Sequence, residues 1–487
     1  MYERRRYKMA KETQRTMRIQ TSDISRIIKV NDGLHPEWQG SNIYGLVRMV
    51  LPDGSTHLVG TVGKSGYIYD FTDNRVVYDF SDIGGKPVAG GDSYHTVARW
   101  RGRYYFGGWI IAPSPVGETL NTADKHSYIV ETEDLVTWKV IMTDQSTSRS
   151  SWQAEVSDLI PTEDYLYILR GDIGKGGLGS GAWIYDGTTI RNLTGDHAIK
   201  GTIHNDKLYY GIRRSPEIKS IDLLNGVVAS KNYDGGPTRV GGKSSLKVFG
   251  NITTLVERLF VGADNGFFLD GMFVPLLISP VENEGRIVGW RNQPLHVNGG
   301  LLIASQIQDS GPDEDPGSAS VNSLLLHISA AGQIRCVATG RFFAAAEVYN
   351  DRIYYGTSPH SHRNRHYNYQ YSDMMLSTLS LEDLKIVPYL DRIHYESYDP
   401  QSYGVNGWFG GYPSFGYERV ILDFTPGEDG TLTIAEWGME TDLRERTTMT
   451  FRAGENRVID LTPYCAGNLI GFRYSTKTAL DAVFHAR

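Results

Sequence analysis

Residues 350–356 read NDRIYYG, a polar two-residue step followed by an aliphatic and aromatic triplet and a glycine. Asn and Asp tolerate the left-handed backbone that a tight hairpin demands, and the triplet has the character of a buried strand. The phrase returns as PDGSTHLVG (52–60), RGRYYFG (101–107), EDYLYIL (163–169), NDKLYYG (205–211), VERLFVG (256–262) and NGGLLIA (298–304), seven copies in all. Each copy follows an apolar-alternating run such as YHTVARW, WQAEVSDLI, AIKGTIH or AAAEVYN, so each predicts a β-hairpin.

A second hairpin follows the first, as in GYIYDFTDNRVVYDF, SYIVETEDLVTWKVI, AWIYDGTTIRNLT and MLSTLSLEDLKIVPYL. Two hairpins make a four-stranded antiparallel unit. Its recurrence every 40 to 60 residues or so is the pattern of β-propeller blades. An array of β-sandwiches would leave unexplained why the outer phrases YDG, TEDL and LEDL hold the same place in every repeat. The expected fold is therefore all-β, a β-propeller, most simply of seven blades, over residues 25–395. A basic extension (1–24) with a frayed start precedes it. An aromatic and Gly-rich linker (396–417) follows, and then a small C-terminal antiparallel β-sandwich (418–487), whose strands include RVILDFT, TLTIAEW and NLIGFRY.

Composition supports this reading. Thirty Tyr and 54 Gly among 487 residues suit strands joined by tight turns, and a 40% hydrophobic share is ample for a core. The net charge of −7 argues against nucleic acid or an anionic membrane as the main partner. The basic opening lacks the apolar run of a signal peptide, and no segment approaches the roughly 20 apolar residues of a membrane helix. The expectation is a cytoplasmic protein. Cys336 and Cys465 have no ligand-spaced partners, so neither a disulfide framework nor a cysteine zinc site is encoded, and no cofactor or metal is expected.

In a propeller the first strand of each blade lines the axis, and loops at one end converge on a pocket. Those strands would bring Glu37, Asp92, His95, Glu155, His197, Lys200, Lys243, Arg291 and Glu347 toward one channel, with Trp38, Tyr94, Trp152 and Trp290 beside them. Paired carboxylates and aromatic faces suit carbohydrate: one acid protonates the leaving group, the other activates water or attacks, and rings hold the sugar. Glu155 and Asp92 are the preferred acid and base or nucleophile, with Glu347 in reserve. His95, Lys200 and Arg291 would orient hydroxyls, and Tyr94, Trp38, Trp152 and Trp290 would bind the sugar. This predicts a glycoside hydrolase. The plainer reading of any such acid is an ion pair with an Arg or Lys of the next blade. A non-catalytic propeller that binds a glycan or a protein is the alternative, and a metal-assisted lyase or lactonase the third. The last would draw on His360, His362 and His366, although Arg363 and Arg365 between them would repel a cation. The glycine-rich 172–181 lacks the Lys-Ser/Thr of a phosphate loop and leads into a strand, and the acidic 309–317 reads as a solvated excursion. The aromatic linker and the C-terminal sandwich are candidate surfaces for homo-oligomers.

Two resemblances bear on this. ETEDLVTWKVI (131–141) resembles the S-x-D-L-x-x-W blade element of propeller glycosidases of the arabinanase, xylosidase and invertase kind, in which an acid-bearing innermost strand follows. Those enzymes have five blades, and their catalytic Asp on the first innermost strand has no counterpart here. SYHTVARWRGRYYFGGW, WQAEVSDLI and LYILRGDIGKGGLG are similar to an archaeal family of predicted propeller proteins known only as a domain of unknown function. That resemblance implies a thermophilic archaeal source and no activity.

Overall fold

The computed structural model describes residues 17–20, 27–29, 42–63, 67–83, 96–111, 125–145, 153–171, 178–212, 215–233, 248–263, 266–276, 285–287, 294–308, 321–341, 345–357, 375–382, 384, 390–403, 407–439, 443–467 and 469–487. Within them, seven antiparallel sheets follow one another along the chain. The first steps outward from Asn42–Val50 through Thr56–Gly63 and Tyr67–Asp70 to Arg75–Tyr78. The second, third, fourth and fifth repeat this order from inner strands Thr96–Trp100, Glu155–Pro161, Ala198–His204 and Val248–Leu255. In the sixth, Gly285–Ile287 and Leu295–Val297 both pair with Gly300–Gln308. The seventh starts at Ala346–Tyr349 and takes its outermost strand, Ile27–Lys29, from the other end of the chain.

Turn chemistry explains the repetition. At the tips of the inner hairpins, Asn205 and Asp206 have φ of 47° and 56°, Asn350 and Asp351 46° and 58°, and Asn298 and Gly299 50° and 68°. Two successive left-handed residues match the twist of the flanking strands. The outer phrases found in the sequence are turns built on aspartate. Asp186 accepts from the amides of Thr188 and Thr189, Asp222 from those of Leu224 and Asn225, and Asp134 from those of Val136 and Thr137.

Adjacent sheets bury apolar faces against each other. Tyr104, Phe106 and Val130 of the second sheet pack on Met49, Val59 and Ile68 of the first, and Leu302 and Val337 of the sixth on Ile353 and Tyr355 of the seventh. The seventh returns to the first through Ala345, Leu376, Ile43 and Leu46. Inner strands touch in order from the first sheet to the fifth, and Ala346–Tyr349 of the seventh touches Asn42–Val50 of the first. The result is a β-propeller-like, all-β arrangement around an axis lined by the inner strands.

Two further sheets close the C-terminal region. One is five-stranded, in the order Met17–Gln20, Leu390–Tyr398, Leu480–Ala486, Val420–Pro426, Arg457–Asp460. The other is four-stranded, in the order Trp408–Pro413, Leu469–Tyr474, Gly430–Trp437, Arg444–Phe451. Val420–Pro426 alternates buried and half-buried residues along its length, the mark of a strand with one face in a core. That core is continuous with the fifth and sixth sheets, and Trp437 Nε1 donates to Pro275 O at 2.8 Å.

Here the structure differs from the sequence expectation. Residues 17–20, expected to fray, pair with Leu390–Tyr398, and the expected linker supplies part of that strand and all of Trp408–Pro413. The physical reason is burial: Tyr395, Tyr398 and Tyr412 are dry, and the hydroxyls of Tyr395 and Tyr412 hydrogen-bond each other. Rings of that size inside a core are a large apolar gain, which a solvated linker would forgo. Cys336 and Cys465 are not joined in a disulfide. No helix among the described residues is long and apolar enough to cross a membrane.

Candidate functional site

Several inner strands carry a β-bulge at the same stage of their run. The register slips between Ile43 and Gly45, between Val156 and Asp158, between Ile199 and Gly201, and between Val248 and Ile252. A bulge leaves a residue outside the ladder and re-aims its side chain. In the fourth sheet that residue is Lys200, whose φ of 23° few side chains adopt. The next position must be glycine, because a Cβ on Gly201 would stand 2.4 Å from Tyr209 O.

Asp158, just after the bulge at Ser157, ties three neighbouring sheets together. Its Oδ1 accepts from Thr96 Oγ1 (3.1 Å) of the second sheet and from Leu159 N (3.1 Å), and its Oδ2 accepts from Gly201 N (3.0 Å) of the fourth. Lys200 Nζ lies 3.7 Å from Oδ1. Ser157 Oγ is within donating distance of two carbonyls, Leu169 O of its own sheet at 3.0 Å and Ala198 O of the next at 2.9 Å. These are the polar links a set of separate sheets requires where no backbone ladder joins them.

The same residues wall a cavity of about 140 Å³, lined by Thr96, Val97, Asp158, Lys200, Gly201 and Asn251 together with Ile252, Thr253, Pro294 and His296. Five sheets, the second to the sixth, contribute to it. Thr253 Oγ1 and His296 Nε2 are hydrogen-bonded at 3.1 Å. Partial burial holds the His296 imidazole below its usual pKa, so it is uncharged at neutral pH. Lys200 is 6% exposed, and 3.7 Å is beyond hydrogen-bond reach of its one partner among the described residues. Its ammonium therefore borders the cavity with no acceptor within hydrogen-bond reach among the described residues.

Of the residues expected to form a site, Lys200 lines this cavity. Glu155 is 1% exposed in the third sheet and does not line it. Glu347 lies in the seventh sheet, at the seam with the first, where its Oε1 accepts from Val348 N and its carboxylate meets Arg48. Burial raises the Glu347 pKa, against the opposing effects of the Val348 and Arg48 amides and the Arg48 charge. Neither Glu155 nor Glu347 lines this cavity. Glu37, Asp92, His95, Tyr94, Trp38, Trp152, Trp290, Arg291 and Lys243 lie outside the described residues, as do the histidines of 358–371, the core of 172–181 and the acidic 309–317. His197 is near Ser180, with Nδ1 to Oγ at 3.3 Å.

Asp158, Thr96, Asn251, Thr253 and His296 were not singled out from sequence. A signal did exist: a polar residue recurs at the bulge, in EVSDLI, AIKGTI and FGNITT, one strand-length before each hairpin tip. A separate cluster, His57, Asp70 and Asp73, has ligand atoms close enough to hold a metal ion. Arg75 Nε already stands 3.6 Å from Asp73 and 4.0 Å from Asp70, so a cation's place there is taken by a guanidinium.

Comparison with known proteins places the chain among them as follows. Residues 62–311 match the family model described as "Uncharacterized protein conserved in archaea (DUF2139)". No curated protein matches the sequence. Among solved structures, U3-55K is similar at 12% identity over 74% of this chain and 98% of that one, with a TM-score of 0.41. YCF48 from Cyanidioschyzon merolae follows at 7% identity over 74% and 100%, with a TM-score of 0.42. A GH32 β-fructofuranosidase of Bombyx mori is similar at 8% identity over 81% and 90%, with a TM-score of 0.28.

Proposed function

The chain belongs to this DUF2139 family of proteins conserved in archaea, and we propose that it is a seven-bladed β-propeller with a C-terminal β-sandwich that binds a small carbohydrate in its axial cavity. The observation that carries the reading is the Lys200 side chain, buried at a polar cavity with no hydrogen-bond acceptor in reach of its ammonium among the described residues. A buried charge needs acceptors, and hydroxyl oxygens supply them. Thr96, Asn251, Thr253 and His296 offer both donors and acceptors around it, which suits a ligand carrying several hydroxyls. The walls come from five sheets that pack on each other, so the site is held rigid before the ligand arrives.

Binding is favoured over hydrolysis because the cavity holds one described carboxylate, Asp158, whose two oxygens are occupied by Thr96, Leu159 and Gly201. An acid so engaged has little accepting capacity left for a substrate. Titration calorimetry with a panel of monosaccharides tests the reading. Binding to the wild type that disappears in Lys200→Met, with the circular dichroism spectrum unchanged, supports it, whereas equal binding by both proteins removes the cavity from the function.

One observation favours the glycoside hydrolase reading. Glu347 has the raised pKa of a carboxyl that could act as a general acid. A screen of aryl glycosides on wild type, Glu155→Gln and Glu347→Gln decides it. Turnover by the wild type that either variant abolishes would favour hydrolysis over simple binding.

A further inference from the structure

Resting on the reading of the axial cavity as a carbohydrate site, we propose that the cavity selects a neutral vicinal diol and rejects both acidic and amino sugars. Its described lining holds one positive group, Lys200, and one negative group, Asp158, 3.7 Å apart, and every other described lining side chain is uncharged. The imidazole of His296 belongs with the uncharged ones, since burial lowers its pKa. The pair sums to zero. A carboxylate entering beside Lys200 would leave one uncompensated negative charge in a place poor in water and would stand against Asp158. An ammonium entering beside Asp158 would meet Lys200 and find both carboxylate oxygens already taken.

A neutral diol avoids both costs. One hydroxyl oxygen accepts from the Lys200 ammonium, which has donors to spare, while its neighbour exchanges hydrogen bonds with the Thr253 and His296 pair or with the buried Asn251. Size points the same way. A cavity of about 140 Å³ holds a few water volumes, each about 30 Å³, and so takes a three- or four-carbon polyol whole or one edge of a sugar ring. The bulge that turns Lys200 inward and the Gly201 amide that fixes Asp158 set the spacing of the two charges, so their balance is part of the backbone design.

Because the selectivity rests on a balance of charge, removing either partner should reverse it in a known direction. Calorimetry with glycerol, glucose, glucuronate and glucosamine is run on the wild type, Asp158→Asn and Lys200→Met. The wild type is expected to bind glycerol or glucose at least tenfold more tightly than glucuronate or glucosamine. Asp158→Asn should gain about tenfold for glucuronate, and Lys200→Met should lose the neutral ligands and gain for glucosamine. Thr253→Val, which leaves the pair intact, should weaken the neutral ligands without changing the ranking, and so keeps the proposal testable if a charge variant does not fold. Wild-type binding of glucuronate as tight as that of glucose, or unchanged rankings in both charge variants, overturns the charge-balance proposal while leaving carbohydrate binding in place. If none of the four probes binds any of the proteins, both readings fall.

Discussion

The axis of the seven sheets and the C-terminal pair of sheets use the same antiparallel strands, yet they are held by opposite means. Along the axis, neighbouring sheets are joined through polar atoms: Asp158 reaches Thr96 and Gly201, Ser157 reaches Ala198 O, and Glu347 meets the Arg48 amide. The C-terminal sheets enclose Phe409, Phe472, Phe484, Leu432 and Trp437 in a dry core that runs on into the fifth and sixth sheets. The difference teaches where a site can sit. A dry interface offers a polar ligand little to bind, whereas the axis presents the Lys200 ammonium, with no acceptor in hydrogen-bond reach among the described residues.

Each arm of this contrast can be broken. Trp437→Ala removes a fully buried indole and its bond to Pro275 O, and should cost about 3–5 kcal/mol in urea unfolding. A loss below about 1 kcal/mol would mean that the two regions are not one core. Asp158→Ala should cost about 3 kcal/mol, since it leaves Lys200 buried without a counter-charge and orphans the Gly201 amide. Its effect should shrink in the Lys200→Met background, and strict additivity of the two changes would contradict the pairing.

Glu347 sharpens the contrast through pH. Its folded pKa is raised above the usual 4.5, so the folded state holds the proton more tightly than the unfolded chain. Its stabilising contribution is full below 4.5 and is lost as pH rises through the raised folded value. Melting temperatures measured from pH 4 to 8 should show that decline in the wild type, and a smaller one in Glu347→Gln. The smallest effect has the opposite sign. Val256, at the tip of the fifth sheet's inner hairpin, has φ of 56°, where a β-branched side chain is strained. Val256→Gly should raise stability by about 1 kcal/mol, and a lower melting temperature would refute the strain.

The fold was legible in the sequence because turn chemistry is local. Asn-Asp and Asn-Gly specify left-handed pairs whatever surrounds them, and seven copies made the sheet period visible. The site was less legible for a reason that Glu155 and Asp158 illustrate. Alternation read along EVSD assigns faces by parity, but the bulge at Ser157 inserts one residue, and one residue exchanges the faces on either side of it. The register pairs Glu155 with Gly171 and Asp158 with Leu169, so the bulge sets on one face two acids that parity would have parted, and of the two Asp158, further along the strand, is the one that lines the cavity. Thr96, Asn251 and Thr253 carry no charge to draw notice, and what matters about them is which strands the chain brings alongside. The C-terminal reading missed its first strands because Gly and Tyr in 396–417 look like a loop, while burial of the tyrosines makes them core.

The pairing of Ile27–Lys29 with Met375–Ser380 governs how the molecule can be made. During synthesis the strand must wait for a partner about 350 residues downstream, roughly 20–70 s at ordinary rates of translation. Until then the seventh sheet lacks its outer edge, and the first sheet has no neighbour on one side. Closure is thus a late, long-range event with a high entropic barrier, the kind of step that slows folding. Once made, it converts an open row of sheets with two loose ends into a loop of chain that can come apart only by releasing a strand at the seam.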